Sequence, residues 1–309
     1  MNNNEMQNKS AGLSGIVIVN KEKGYTSMDV VACIRGIFHT KKAGHTGTLD
    51  PDATGVLPVC IGSGTSVVSM MTDSDKTYRA VMKLGVVTDT QDISGNVLEE
   101  HEDAAMALTP AEIEAAVRSF EGGYEQVPPM YSAIKIGGKK LVDLARQGRV
   151  VEREARPIKL YGITIERIEL PYVELTVECS KGTYIRTLCH DIGARLGCGA
   201  CMTELVRERA AGFTLDQAHT LKELEQARDA GTLDDMVIGL EEYFSFLPAY
   251  TVAPEQEKYV LNGNKLAGLS PELGGKDGMV RIYTMDGAFR AVYRYDTATS
   301  EYRVAFMNR

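Results

Sequence analysis

Two rhythms of apolar residues run along the chain, one with strand alternation and one with helical spacing. Gly15-Ile16-Val17-Ile18-Val19 reads as a strand that ends at Asn20-Lys21 and the turn residue Gly24. Thr26 or Ser27 is placed to cap a helix whose apolar positions Val30, Val31, Ile34, Ile37 and Phe38 recur at helical spacing. Val56 to Ile61 is a short buried strand, and Lys76 to Val87 alternates as a strand carrying Tyr78. Asp89 to Asn96 is a polar loop suited to lining a cleft. Thr109-Pro110-x-Glu112 starts a helix with a capping threonine, a first-turn proline and a glutamate that closes the box; the helix is expected to end near Phe120. Ile158–Leu170 and Tyr172–Cys179 predict antiparallel strands about Pro171. Thr183 is expected to open a helix with Ile185, Leu188, Ile192 and Leu196 on one side, closed by Gly197. Thr220-x-x-Glu223 begins an acidic helix. After Phe246-Leu247-Pro248 the pattern turns to strands at Gly278–Thr284, Ala288–Asp296 and Glu301–Met307, with Asp286-Gly287 as a hairpin turn.

These elements predict an α+β fold, a mixed and mainly antiparallel sheet with flanking helices. A polar lead over 1–14 reads as disordered, a main domain spans 15–246, and a small β-rich module spans 247–309. The excursion 131–157 interrupts the main domain with a short strand, a Gly137-Gly138 turn, a basic helix around Leu141–Gln147 and a charged return. At 309 residues, with 44% hydrophobic and 25% charged content, the chain can bury a sizeable core. No apolar run approaches the roughly 18 residues that span a bilayer. The polar start lacks an apolar signal segment, so a cytoplasmic location is expected.

The net charge of −8 argues at first against nucleic acid, but its distribution reverses that. Between Lys135 and Lys159 eight basic residues face three acidic ones, a local +5, whereas Asp216 to Glu242 carries −6. A phosphate backbone responds to the field within about 8–10 Å, and not to the total. Six cysteines in a chain of this length do not suggest a disulfide framework. Cys198-x-x-Cys201, near Cys189 and His190, is one pair with knuckle spacing where a closed zinc site usually takes two; reduced core cysteines are the expectation, and no metal.

The candidate chemistry gathers at Gly44 to Gly62, GHTGTLDPDATGVLPVCIG. Asp50 stands on a turn at the mouth of a core strand, and Pro51 forces it into an extended shape. A carboxylate held that way suits a nucleophile or base, although Asp before Pro is also an ordinary turn pairing. This segment closely resembles the central motif of bacterial tRNA pseudouridine synthases of the TruB type. Asp75-Lys76-Thr77-Tyr78-Arg79 is similar to that family's second motif, and Cys179-Ser180-Lys181-Gly182-Thr183-Tyr184-Ile185-Arg186-Thr187 to its third. Order and spacing match from about Gly15 to Arg207.

The resemblance implies isomerisation of uridine 55 in the T-loop of tRNA to pseudouridine on a flipped-out nucleotide, with Asp50 as the catalytic carboxylate. That reaction has no redox or energy-consuming step, so no cofactor is expected. By the same resemblance Tyr78 stacks on the target base, Arg186 pairs with Asp50, Tyr184 and Leu205 line the pocket, and His45 occupies space near the displaced base. A bidentate Arg186 pair is expected to keep Asp50 ionised and lower its pKa. The excursion 131–157 is similar to an RNA-gripping thumb. Lys21, Lys42, Lys135, Lys139, Lys140, Arg146, Arg149 and Arg153 are the candidate RNA ligands, and 247–309 is similar to a PUA-like module. The T-arm of tRNA is the implied partner, with the protein a monomer that needs no protein partner and no membrane. Glu22 and Ser66 depart from the family pattern, the latter standing where a lysine or arginine is expected. Two rivals remain. Asp50-x-Asp52-x-Thr54 satisfies the D-x-D-x-T signature of haloacid-dehalogenase-like phosphatases, but no hydrophobic strand precedes it. A non-catalytic RNA-binding or tRNA-chaperone protein would use the same basic and aromatic residues.

Overall fold

The computed structural model describes residues 12–308; of the lead over 1–14, all but its last three residues lie outside them. In chain order the main elements are β1 (Gly15–Lys21), α1 (Ser27–Ile37), β2 (Ala43–His45), β3 (Thr54–Ile61), β4 (Lys76–Leu84), α2 (Pro110–Arg118), β5 (Leu160–Glu169), β6 (Tyr172–Cys179), α3 (Ile185–Leu196) and β7 (Ala200–Ala210). They build a mainly antiparallel sheet in the order β1-β3-β7-β4-β6-β5. The central strands are long, and β4 is paired along its whole length with β6 on one side and, across two bulges, with β7 on the other.

The helix starts follow local capping chemistry. Thr26 accepts from the Asp29 amide and Thr109 from the Glu112 amide, and each acid reaches back to its cap. Thr220 and Glu223 do the same for the helix Leu221–Ala230. The start of α3 differs from expectation. Its cap is Tyr184, without a side-chain bond, while Thr183 donates its hydroxyl to the Ser180 carbonyl one turn earlier. Gly197 closes α3 in the left-handed region, as its lack of Cβ allows. One core packs α2 and α3 on β4, β6 and β7 through residues such as Met82, Val177, Leu188 and Ile192. A second packs α1 and the helix Leu221–Ala230 on β1 and β3.

The strand edge that matters most is that of β3. One side pairs fully with β1, Gly15 opposite Ile61 through Lys21 opposite Gly55. The other side is divided: β2 takes Val59 to Ile61, and β7 takes only Thr54 and Gly55, in parallel. The sheet forks there, and the loop 46–53 spans the fork. Gly55 has φ +104°, and a Cβ on it would lie 2.3 Å from the Arg207 carbonyl oxygen, so β3 and β7 approach this closely only at glycine.

The excursion 131–157 stands on the stem formed by Tyr124–Gln126 and Arg156–Ile158. It contains the hairpin Lys135–Ile136/Lys139–Lys140 and the helix Leu141–Ala145, closed over a small apolar cluster of Met130, Leu141 and Leu144. The last part of the chain forms a β-rich module, a five-stranded sheet with Phe289–Asp296 at its centre. That sheet is not an independent bead. Phe289, Val292 and Phe306 share a cluster with Phe244, Ile16, Ile18 and Val56 of the main sheet.

Candidate active site

Asp50 opens a turn in which the Ala53 amide donates to its carbonyl at 3.1 Å. The loop carrying it is held in place by Ser27, Lys21 and Arg207. Ser27 Oγ donates to the Leu49 carbonyl and accepts from the Leu49 amide, at 3.2 and 2.8 Å. Lys21 is fully buried at the end of β1, and its ammonium donates to the carbonyls of Glu22, Tyr25 and Pro51. Arg207, 1% exposed, sits in the fork of the sheet; it donates Nε to the Val56 carbonyl at 2.7 Å, Nη2 to Gly47 at 3.2 Å and Nη1 to Thr48 at 3.4 Å. The two cations satisfy carbonyls that a loop across a split strand edge would leave unpaired.

In front of the loop lies a cleft of about 520 Å³ lined by Asp50, Tyr78, Tyr184, Arg186 and Leu205, among others. Arg186 comes from the first turn of α3 and is 6% exposed. Its Nη2 lies 3.3 and 3.5 Å from the two Asp50 oxygens and donates to the Tyr131 carbonyl at 2.6 Å, while Nη1 faces Asp92 at 3.6 Å. The guanidinium also lies 5.9 Å from the Tyr184 ring centroid. Gln126, 1% exposed, holds the backbone of Tyr184 at both ends, donating to its carbonyl at 3.0 Å and accepting from its amide at 2.8 Å. The Tyr124 hydroxyl accepts from the Gln126 side-chain nitrogen at 2.8 Å and donates to Asp191 on α3. The start of α3, and with it Arg186, is thereby tied to the stem of the excursion.

The expected electrostatics of Asp50 need correction. One Arg186 nitrogen straddles the carboxylate, and the geometry is not a two-nitrogen fork. The side chain is 40% exposed, and desolvation by the protein around it raises the pKa above the usual 3.8. Arg186 pulls it down and Asp92 pushes it up, but burial is the larger effect. Burial likewise raises the Tyr78 and Tyr184 hydroxyls and lowers His45, with Arg207 nearby adding to the last.

Comparison with known proteins follows the same residues. A family model described as TruB family pseudouridylate synthase (N terminal domain) matches residues 35–185, and one described as tRNA pseudouridylate synthase B C-terminal domain matches 186–245. A tRNA pseudouridine synthase B of Clostridium novyi is 46% identical over 279 residues, 90% of this chain and 94% of that one. The protein of that name in Bacillus pumilus is 41% identical over 290 residues, 91% and 93% of the two chains. The chain belongs to the TruB family of pseudouridylate synthases. The fold agrees: a solved H/ACA RNP bound to a substrate RNA containing 2′-deoxyuridine superposes with a TM-score of 0.69 at 25% identity, covering 99% of this chain and 87% of that one. A Cbf5-Nop10-Gar1 complex gives 0.69 at 28% identity, covering 96% and 84%. As a member of this enzyme family the TruB chain is neither a dehalogenase-like phosphatase nor a bare RNA chaperone.

The other sequence-predicted residues of this TruB chain divide by location. His45 ends β2, accepts at Nδ1 from the Gly47 amide at 3.3 Å, and is not part of the cleft lining. Lys135, Lys139, Lys140, Arg146 and Arg149 are exposed on the excursion, and Arg153 is half-buried there. Lys42 is exposed beside Thr40, Ser63 and Ser66 in a separate hollow against the C-terminal sheet. Lys21 does not belong among RNA ligands: burial and three carbonyl partners occupy its ammonium and pull its pKa down to about 8. Asp92, Gln126 and Arg207 were missed. Only the polarity of the Asp89–Asn96 loop hinted at the first, and nothing in the periodicity marks the other two. Among the described residues no helix is long and apolar enough to cross a membrane.

Proposed function

We propose that this enzyme isomerises uridine 55 in the T-loop of tRNA to pseudouridine, with Asp50 as the catalytic carboxylate. The reaction breaks the bond between uracil N1 and ribose C1′ and forms one from C5 to C1′. The proton on C5 leaves to solvent and N1 gains one, so atoms balance without a second substrate. One ionised carboxylate, a water-poor chamber and a surface that retains the freed base suffice. The observation that carries the reading is the Asp50 carboxylate at the floor of a cleft, with Arg186 at 3.3 Å and the Tyr78 ring in its wall. Unstacking a nucleotide costs a few kcal/mol, and stacking on an aromatic ring returns about 1–3. Tyr78 takes that role, Leu205 and Tyr184 close the chamber, and Arg186 keeps Asp50 charged against its own desolvation. His45, outside the cleft lining, acts on the RNA loop and need not transfer a proton.

Lys135, Lys139, Lys140, Arg146, Arg149 and Arg153 grip the T-arm as a thumb, and the main domain 15–246 works with 247–309 as an RNA-binding module, without a protein partner. The test is incubation with an unmodified tRNA transcript and mapping of pseudouridine. Product at position 55 is expected from the wild type and none from Asp50→Asn, whose T-arm binding stays within a few-fold. Turnover by Asp50→Asn, or product only at another position, overturns the reading.

A further inference from the structure

Five cationic side chains line the cleft: Lys76, Arg156, Lys181, Arg186 and Arg207. Four have donors engaged by the protein itself. Lys76 donates to the carbonyls of Thr72 and Ser74, and Lys181 pairs with Asp73 at 2.7 Å. Arg186 is shared by Asp50, Asp92 and the Tyr131 carbonyl, and Arg207 by the carbonyls of the forked strand. Arg156 is exposed, and among the described residues it has neither a hydrogen-bonded nor an ion-paired partner for its guanidinium.

An exposed arginine is most often merely solvated. Two things set this one apart. Its backbone is fixed, because Arg156 pairs in register with Gln126, the residue that clamps Tyr184. It also lines the cleft together with Tyr184, at the base of the excursion and not out at its tip. A base swung into this cleft brings its sugar and flanking phosphates to the rim, toward a site already carrying the Asp50 carboxylate. An anion there needs a cation whose donors are unengaged, and arginine offers a planar pair of them.

We propose that Arg156 is the ligand for a backbone phosphate flanking the swung-out nucleotide, a subsite separate from the cations of the thumb. The proposal rests on the pseudouridylation reading above, and its test separates the two. Wild-type and Arg156→Gln enzymes act on a T-arm stem-loop carrying ordinary phosphates, or a methylphosphonate on the 5′ or the 3′ side of the target uridine. On the ordinary substrate Arg156→Gln is expected to raise KM roughly tenfold, with kcat within about twofold. Arg156→Lys recovers part of that loss. The dependence of log Kd on log salt concentration becomes shallower by about 0.7–0.9, the signature of one phosphate contact. A methylphosphonate at the contacted linkage weakens the wild type by a similar factor and Arg156→Gln no further. The same cycle read as Kd on an Asp50→Asn background needs no turnover, so failed chemistry and a failed contact are distinguishable. Independent, multiplicative losses at both linkages, or an Arg156→Gln enzyme that binds like the wild type, overturn the proposal.

Discussion

At the scale of single residues, the state of Asp50 is decided by opposing effects of unequal size. Its raised pKa means the folded chain binds that proton more tightly than the unfolded chain, whose value is near 3.8. The stabilisation from protonation is present below 3.8 and lost as pH rises through the folded value, so ionised Asp50 costs stability at neutral pH. Asp50→Asn is therefore expected to leave Tm unchanged or raise it at pH 7, measured by calorimetry, while abolishing product. The same sign governs rate. Catalysis needs the ionised form, and Arg186 is what lowers the pKa; Arg186→Gln should move the acidic limb of the kcat/KM profile to higher pH. A limb that stays in place would mean that Arg186 does not act on this carboxylate. None of this balance was legible in the sequence. Asp50 and Arg186 are 136 positions apart, and periodicity has no reach over that distance. Only the likeness of two motifs joined them, and it implied a two-nitrogen pair and a lowered pKa.

Elements were legible where local chemistry decides them. The capping boxes at Thr109 and Thr220 and the stop at Gly197 follow from side-chain bonds and backbone freedom within a few residues. The start of α3 was misjudged because its cap is supplied from outside. Gln126 holds Tyr184 in place of any neighbouring hydroxyl, and no local pattern records a partner 58 positions away. Lys21 was read as an RNA ligand and Arg207 was missed for a related reason, since their carbonyl partners exist only once the chain has folded. Gln126→Ala leaves the Tyr184 amide without its acceptor, while the Tyr184 carbonyl keeps only the bond from the Leu188 amide. The expected cost is about 1–3 kcal/mol in urea unfolding, with kcat reduced at least tenfold and tRNA Kd within a few-fold. Arg207→Met strips three carbonyls of their donor and is expected to cost about 2–4 kcal/mol by the same measurement.

Across the whole molecule, charge is segregated: the basic thumb and the acidic stretch Asp216–Glu242 are separate parts of a chain whose total is −8. Apolar contact runs the other way and binds the parts together. Phe244 lies 5.5 Å from Phe306 and 6.3 Å from Phe289, so the C-terminal sheet completes a core that begins in β1 and β3. Removal of 247–309 would uncover that cluster. The shortened chain is expected to unfold at least 5 °C lower by calorimetry and to aggregate on heating, whatever its affinity for RNA.

The excursion is built on the opposite plan. Leu141 and Leu144 close an apolar seam over Met130 at the base of the segment, which is joined to the rest by a short antiparallel stem and by the Tyr131 carbonyl that accepts from Arg186. Such a unit can be exchanged for another that keeps the Gln126 stem and the Tyr131 carbonyl without opening the main interior. Retargeting therefore has a natural cut line: a chimaera would inherit its reactive centre from one parent and its choice of RNA from the other.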